Sequence, residues 1–198
     1  MGTSSIKKRP TLETQRLILR PFELSDAPRV QLLAGDRDVA AMTKNIPHPY
    51  EDGLAEAWIG SHQERFEKGK EAVFAMNLKN NHELIGAMGL GLNLDQELAE
   101  LGYWVGKPYW SHGYCTEAAR TVLHYAFNEL RLNRVHAHHF SHNPASGRVM
   151  QKVGMRHEGR LRQHVKKWGE FFDVEAYGIL RSEFVEPTPG WLHPAGLL

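Results

Sequence analysis

An α+β fold, with a central mixed and mostly antiparallel sheet flanked by helices, follows from three features of the sequence. Residues 72–105 hold three β-type runs joined by connections too short for a parallel crossover. A strongly amphipathic helical stretch beginning near Thr116 then separates the third run from a fourth, which is long enough to make those two strands parallel neighbours. Two further extended segments flank Trp168-Gly169-Glu170. The predicted order is β-α-α-β-β-β-α-β-α-β-β, with no internal repeat and no linker inside it.

The elements are justified in turn. Arg16-Leu-Ile-Leu-Arg-Pro-Phe22 reads as a strand stopped by Pro21, and Ser25-Asp26 offers an N-cap for a helix running to about Ala34. Pro47 and Pro49 punctuate a loop. Glu51 to Lys68 is predicted as a second helix, with Leu54, Trp58 and Phe66 on one side and Gly69 at its end. Ala72–Lys79 and Leu84–Asn93 flank the hairpin signal Asn80-Asn81-His82, and Glu100–Val105 follows Leu94-Asp95-Gln96. From Thr116, the residues Ala118, Ala119, Val122, Leu123, Ala126, Phe127 and Leu130 make a wide apolar stripe. Arg134–Ser141 is a strand; Asn143 caps a helix with Pro144 in its first turn and Gly154 at its end. The predicted organisation is an N-terminal arm over residues 1–11, one domain over 12–184, and an irregular tail over 185–198 rich in Pro and Gly.

Composition narrows the function classes. A chain of 198 residues buries roughly 70% of its unfolded surface and needs no staples. Lys+Arg is 24 against 23 Asp+Glu, a net charge of +1, which argues against a dedicated nucleic-acid binder. Cys115 is the only cysteine, so there is no disulfide framework and no Cys-rich zinc module. The longest uncharged apolar run, Leu84–Leu92, is nine residues with three glycines, far short of a membrane span. Residues 1–13 carry Lys7, Lys8 and Arg9 with no apolar stretch behind them, so no secretory leader is expected. The expectation is a soluble, cytoplasmic protein.

The segment with most chemical promise is Gly106-Lys-Pro-Tyr-Trp-Ser-His-Gly-Tyr-Cys115, between a strand end and a helix start. Such a junction turns unpaired backbone N–H groups and the positive end of a helix dipole toward any anion nearby. Gly113 lets an anion come close to the backbone, and Cys115 is small. By itself this is equally a plain helix start. Asn143-Pro-Ala-Ser146 is second: Asn143 either caps its helix or pairs with a peptide-like ligand, since an amide both donates and accepts.

Trp110-Ser-His-Gly-Tyr-Cys-Thr-Glu-Ala118, then Asn143-Pro-Ala-Ser146 and Lys152-Val-Gly-Met155, resemble the coenzyme-A-binding core of the GNAT superfamily of N-acetyltransferases. Arg16-Leu-Ile-Leu-Arg-Pro21, Pro47-His-Pro-Tyr50, Gly102-Tyr-Trp-Val105 and the Glu158-Gly159…Asp173…Tyr177 ending resemble its RimJ/RimL-like ribosomal-protein alanine N-acetyltransferase branch. The resemblance spans about Leu12 to Phe184. It implies that acetyl-CoA, as co-substrate, lies where the strands ending at Val105 and Ser141 splay apart. Backbone N–H groups of Ser111, His112, Gly113, Tyr114, Cys115 and Thr116 would hold the pyrophosphate; Trp104 and Val105 would pair with the pantetheine arm, and Asn143 would hydrogen-bond it. The loop keeps the superfamily pattern in part, with Trp110 first, Cys115 last, and His112 where that branch has Lys or Arg.

N-acetylation needs a neutral amine, so a site must remove a proton and reprotonate the thiolate that leaves. Glu100, at the start of the strand beside the acetyl position, is the candidate base, with a solvated strand-end carboxylate as the plain alternative; a pKa raised by burial would favour the base. Ser146 is the candidate acid and equally a cofactor-binding residue, with Tyr177 a more distant acid; Met150 stands where many members carry a tyrosine. His138 or His139 is expected to line the amine pocket.

Twelve histidines are many, and His136-Ala-His-His-Phe-Ser-His142 places His136, His138 and His142 on one strand face. No Cys or acidic residue inside the run completes a ligand set, so no metal is expected. An acyl-cysteine at Cys115 is disfavoured because no activating base is identifiable. The aromatics Trp104, Tyr109, Trp110 and Tyr114 read as loop packing. The leading function is thus acetyl transfer from acetyl-CoA to a primary amine of a ribosomal or other protein N-terminus or of a small molecule, by direct attack in a ternary complex. The alternatives are a non-catalytic acyl-CoA sensor and a metal-dependent enzyme. Partners expected are the amine acceptor, without nucleic acid or membrane, and a homodimer is left open. Lys166 and Lys167 read as either an acidic-peptide preference or plain surface charge.

Overall fold

In the computed structural model, which describes residues 8–185, eight strands form one sheet in the order β1-β2-β3-β4-β5-β6-β8-β7. They are β1 (Leu12–Glu13), β2 (Leu17–Arg20), β3 (Glu71–Leu78), β4 (Leu84–Asn93), β5 (Leu98–Val105), β6 (Arg134–Phe140), β7 (Arg156–Lys167) and β8 (Glu170–Leu180). Five α-helices accompany them: α1 (Ala27–Ala34), α2 (Arg37–Ala41), α3 (Leu54–Glu67), α4 (Tyr114–His124) and α5 (Pro144–Lys152). The predicted tail from residue 186 and the first seven residues of the predicted arm lie outside the described residues.

Every neighbouring pair is antiparallel except β5 with β6, which are parallel as the intervening helix predicts. One large core gathers on the face covered by α4 and α5. There the predicted stripe Ala118, Ala119, Val122, Leu123, Ala126 and Phe127 is buried against Met88, Leu90, Leu101 and Val135. Area-based transfer assigns each such large side chain about 1.5–3 kcal/mol. A second cluster, with Phe22, Val30, Ile59 and Ala87, lies under α1 and α3 on the opposite face. Those two helices cover β3 to β5, whereas α5 sits on the first face over β6 and β7.

Several boundaries differ from expectation for local reasons. β1 and α2 went unpredicted, being two and five residues long and too short to show a period. α3 starts at Leu54 because Glu51 closes a turn, its carbonyl accepting from Leu54 N at 3.4 Å. α4 starts two residues before Thr116, since Gly113 takes the N-cap with φ +81°. Its last turn widens into a π-turn, in which Leu130 N donates to Tyr125 O at 3.0 Å. β6 stops at Phe140, where Asn143 N donates back to Phe140 O at 2.7 Å. His142 therefore lies beyond the strand, stacked on Phe140, and does not continue the face of His136 and His138.

Candidate active site

The parallel pairing of β5 and β6 lasts only three rungs, Leu98–Arg134, Ala99–Val135 and Glu100–His136. Beyond Glu100, β5 stays on β4 as far as Val105 and β6 stays on β8 as far as Phe140, so the two strands part. A cleft of about 1030 Å³ opens in the gap. Its lining includes Glu100, Trp104, Val105, Ser111, Gly113, Tyr114, Cys115, Thr116, Asn143 and Ser146. Of the predicted cofactor-binding residues only His112 is not part of the lining; its ring is exposed and stacked on Tyr114 at 5.6 Å.

At one end of the cleft is the start of α4. Its first helical bond runs from Glu117 N to Gly113 O, 3.1 Å, and no side chain among the described residues caps it. Ser111 (φ +65°) and Gly113 bend the loop back on itself, which leaves the early N–H groups available to an anion. The loop is braced from the far end of the chain. Arg16 donates from Nε to Glu117 Oε2 at 2.7 Å and from Nη1 to His112 O at 3.1 Å, and its guanidinium lies 4.7 Å from the centroid of the Tyr114 ring. Glu117, only 4% exposed, also accepts from Arg16 N at 2.8 Å and from Thr14 Oγ1 at 2.5 Å. A carboxylate in the first turn also suits the helix dipole. The Trp110 indole donates to Val105 O at 2.7 Å and closes the end of β5. Burial pushes the Cys115 thiol up to about 12, so it stays protonated, in keeping with the expectation against an acyl-cysteine.

α5 forms the other lip. Asn143 Oδ1 accepts from Ser146 N at 3.3 Å, which makes Asn143 a helix cap while its amide N–H groups stay available. Ser146 Oγ stands 2.8 Å from the phenol oxygen of Tyr103 on β5. Burial raises the Tyr103 pKa well above its usual value, so the phenol keeps its proton. Tyr177, the more distant candidate acid, is not in the cleft lining. It is buried against α5, where its hydroxyl accepts from Gln151 Nε2 at 3.2 Å.

Where β5 and β6 begin to part stands Glu100, its side chain 59% exposed, with Oε1 3.3 Å from His138 Nδ1. The raised pKa that would have favoured Glu100 as a base over a solvated carboxylate is not found. The hydrogen bond from His138, aided by the charges of His136 and Lys44, outweighs desolvation and holds the carboxyl below its usual value. Both His138 and His139 are in the cleft lining, but only His138 shares this face of β6. His139 points to the α5 side, buried, its Nδ1 2.8 Å from Phe140 O. Gly147 is needed there, because a Cβ would come within 2.6 Å of His139 Nε2. Lys167 is no surface charge: it is buried and donates to Thr43 O at 2.6 Å and Ile46 O at 2.9 Å, tying the β7–β8 hairpin to the loop after α2.

Arg16, Glu117 and Tyr103 went unnoticed in the sequence as site residues. Glu117 followed by an apolar stripe offered a weak signal, an acid in a helix first turn; nothing local marks the other two.

A model of the Acetyltransferase (GNAT) domain family matches residues 16–156. The uncharacterized N-acetyltransferase p20 of Bacillus licheniformis is 32% identical over 177 residues, which is 88% of this chain and 98% of that one. Among solved structures, a GNAT-family acetyltransferase from Bacillus anthracis superposes with a TM-score of 0.77 at 28% identity, covering 88% of this chain and all of that one (100%). Mycobacterium smegmatis RimJ in complex with CoA-disulfide superposes at 0.78 and 22% identity, with 92% of this chain and 91% of that one covered.

Proposed function

This chain belongs to the GNAT family of acetyltransferases, and from that premise we propose that it moves the acetyl group of acetyl-CoA onto a primary amine, the amine attacking directly within a ternary complex. The observation that carries the reading is the parting of β5 and β6 beside the uncapped start of α4, a gap and an anion-binding end within one cleft. Backbone donors of Ser111 to Thr116 bind the pyrophosphate, with Arg16 adding a cation beside them. The backbone of β5 at Trp104 and Val105, which has no partner strand on the side of the gap, aligns the amide-bearing arm with the amide of Asn143.

As the C–N bond forms and the C–S bond breaks, the amine gives up a proton and the thiolate gains one. Glu100 and His138 receive the first: the carboxylate orients His138 through Nδ1, leaving the other ring nitrogen to face the acceptor. Tyr103 supplies the second, held by Ser146 and kept protonated by burial. Ser146 thus positions the acid. Acid, base and anion-binding end together disfavour a non-catalytic acyl-CoA sensor.

The acceptor class we favour is an α-amine, as in the RimJ/RimL-like branch. At pH 7 about a tenth of α-amines are neutral, against about one lysine side chain in 2,500. A base whose carboxylate is held low has less work to do on the former. The test supplies acetyl-CoA with N-terminal peptides, polyamines and aminoglycosides separately and follows release of free thiol. Turnover on peptides supports the reading, and turnover on polyamines or aminoglycosides alone removes the α-amine assignment. CoA binding without any turnover restores the sensor.

A further inference from the structure

The histidine-rich strand lacks an acidic ligand within its own run, and the fold brings one from the neighbouring strand. Glu100 is in register with His136, and His138 follows two residues later on the same face of β6. Glu100, His136 and His138 each offer one ligand atom, and the three atoms lie within 4.8 Å of one another. Ligands of a tetrahedral zinc ion stand about 3.3–3.4 Å apart, given bonds of about 2.0–2.1 Å. The Glu100–His138 pair is already at 3.3 Å. The backbone beneath these side chains is fixed by the last rungs of the parallel ladder, and their side chains are half-buried or exposed, so an ion has a way in. Two cations stand nearby. Arg134 is engaged by both carboxylate oxygens of Glu158, and Lys44 acts on Glu100 at longer range.

We propose that Glu100, His136 and His138 bind a divalent transition-metal ion of the zinc class. Two imidazoles and one carboxylate suit zinc, cobalt or nickel, whereas magnesium and calcium require oxygen throughout. Three protein ligands leave a coordination position for water or for a group of the acceptor. The binding goes beyond the transfer reaction. Its one consequence for turnover rests on the assignment of Glu100 and His138 to the amine proton: an ion bound between Glu100 Oε1 and His138 Nδ1 replaces the hydrogen bond that orients His138 and leaves the ring proton on Nε2, which suppresses acetylation.

The experiment uses the full chain without affinity tag and needs no substrate, so failure of the acetyl-transfer reading leaves it intact. Zinc is titrated calorimetrically, and cobalt is titrated while its visible d–d bands are followed. One equivalent is expected, with affinity lowered more than about tenfold by each of Glu100→Gln, His136→Phe and His138→Phe, and unchanged by His142→Phe. Histidine ring resonances of the unmodified protein give a second measurement that no variant can confound: zinc must shift His136 and His138 ahead of every other histidine. No bound equivalent at tenfold excess of zinc overturns the proposal. So does binding that survives all three substitutions, binding lost with His142→Phe, or earlier shifts elsewhere.

Discussion

Tyr103 on β5 and Ser146 on α5 are joined across the mouth of the cleft, the phenol oxygen 2.8 Å from Oγ and 3.1 Å from the Ser146 carbonyl oxygen. One hydrogen bond to a hydroxyl and one to a backbone acceptor fix the phenol while burial keeps it protonated. Tyr103→Phe keeps the ring and removes the proton source. We expect kcat to fall by about 10²-fold, with CoA affinity nearly unchanged. Thiol-release kinetics with a separate CoA titration check this; a wild-type rate removes Tyr103 as the acid.

Glu100→Gln keeps the size of the side chain and deletes the acceptor that orients His138. Turnover should drop by about 10²-fold with little change in CoA binding. An equal loss in both would mean that Glu100 supports the cleft and takes no part in the proton transfer.

Glu117→Ala takes away the acceptor shared by Thr14, the Arg16 backbone and the Arg16 side chain. Breaking a fully buried pair costs about 3–5 kcal/mol, and partial solvation of Arg16 brings the expected loss to about 2–3 kcal/mol. Chemical denaturation measures that loss. Weaker CoA binding should accompany it, because Arg16 then no longer holds the loop at His112 O.

His62 on α3 is 1% exposed, packed on Phe22 and Trp58, and neither ring nitrogen has a partner among the described residues. Burial, with Arg9 and Arg65 nearby, lowers its pKa from 6.5 to about 4. The unfolded chain therefore binds this proton more readily than the folded one. The contribution to stability is full above pH 6.5, declines as pH falls, and is gone near pH 4. It amounts to about 3 kcal/mol. Denaturation across that window should show the slope, and His62→Leu should flatten it; an unchanged slope would assign the acid sensitivity to other groups.

Periodicity made the sheet-and-helix order legible. The α4 stripe, the β4 run and the two short hairpin connections appear where the sequence puts them, because each is decided within about ten residues. The helix start after Gly113 and the Asn143 cap were legible for the same reason. What remained hidden depends on distant contacts: Arg16 and Glu117 meet across 101 residues, and Tyr103 meets Ser146 only because α5 stands opposite β5. The histidine face was read one residue pair too far, since alternation carries no sign of the turn that ends β6 after Phe140. The lowered carboxyl of Glu100 was equally out of reach, being set by His138 on another strand.

The parting of β5 from β6 has a bearing on solubility as well as on binding. Between the last rung and the bonded carbonyls of Val105 and Phe140, each strand carries backbone donors and acceptors with no partner strand, the kind of edge that on an outer strand recruits other chains into aggregates. Here both edges face each other inside the molecule, walled by α4 and α5, where a slender amide-bearing chain can enter and a neighbouring sheet cannot.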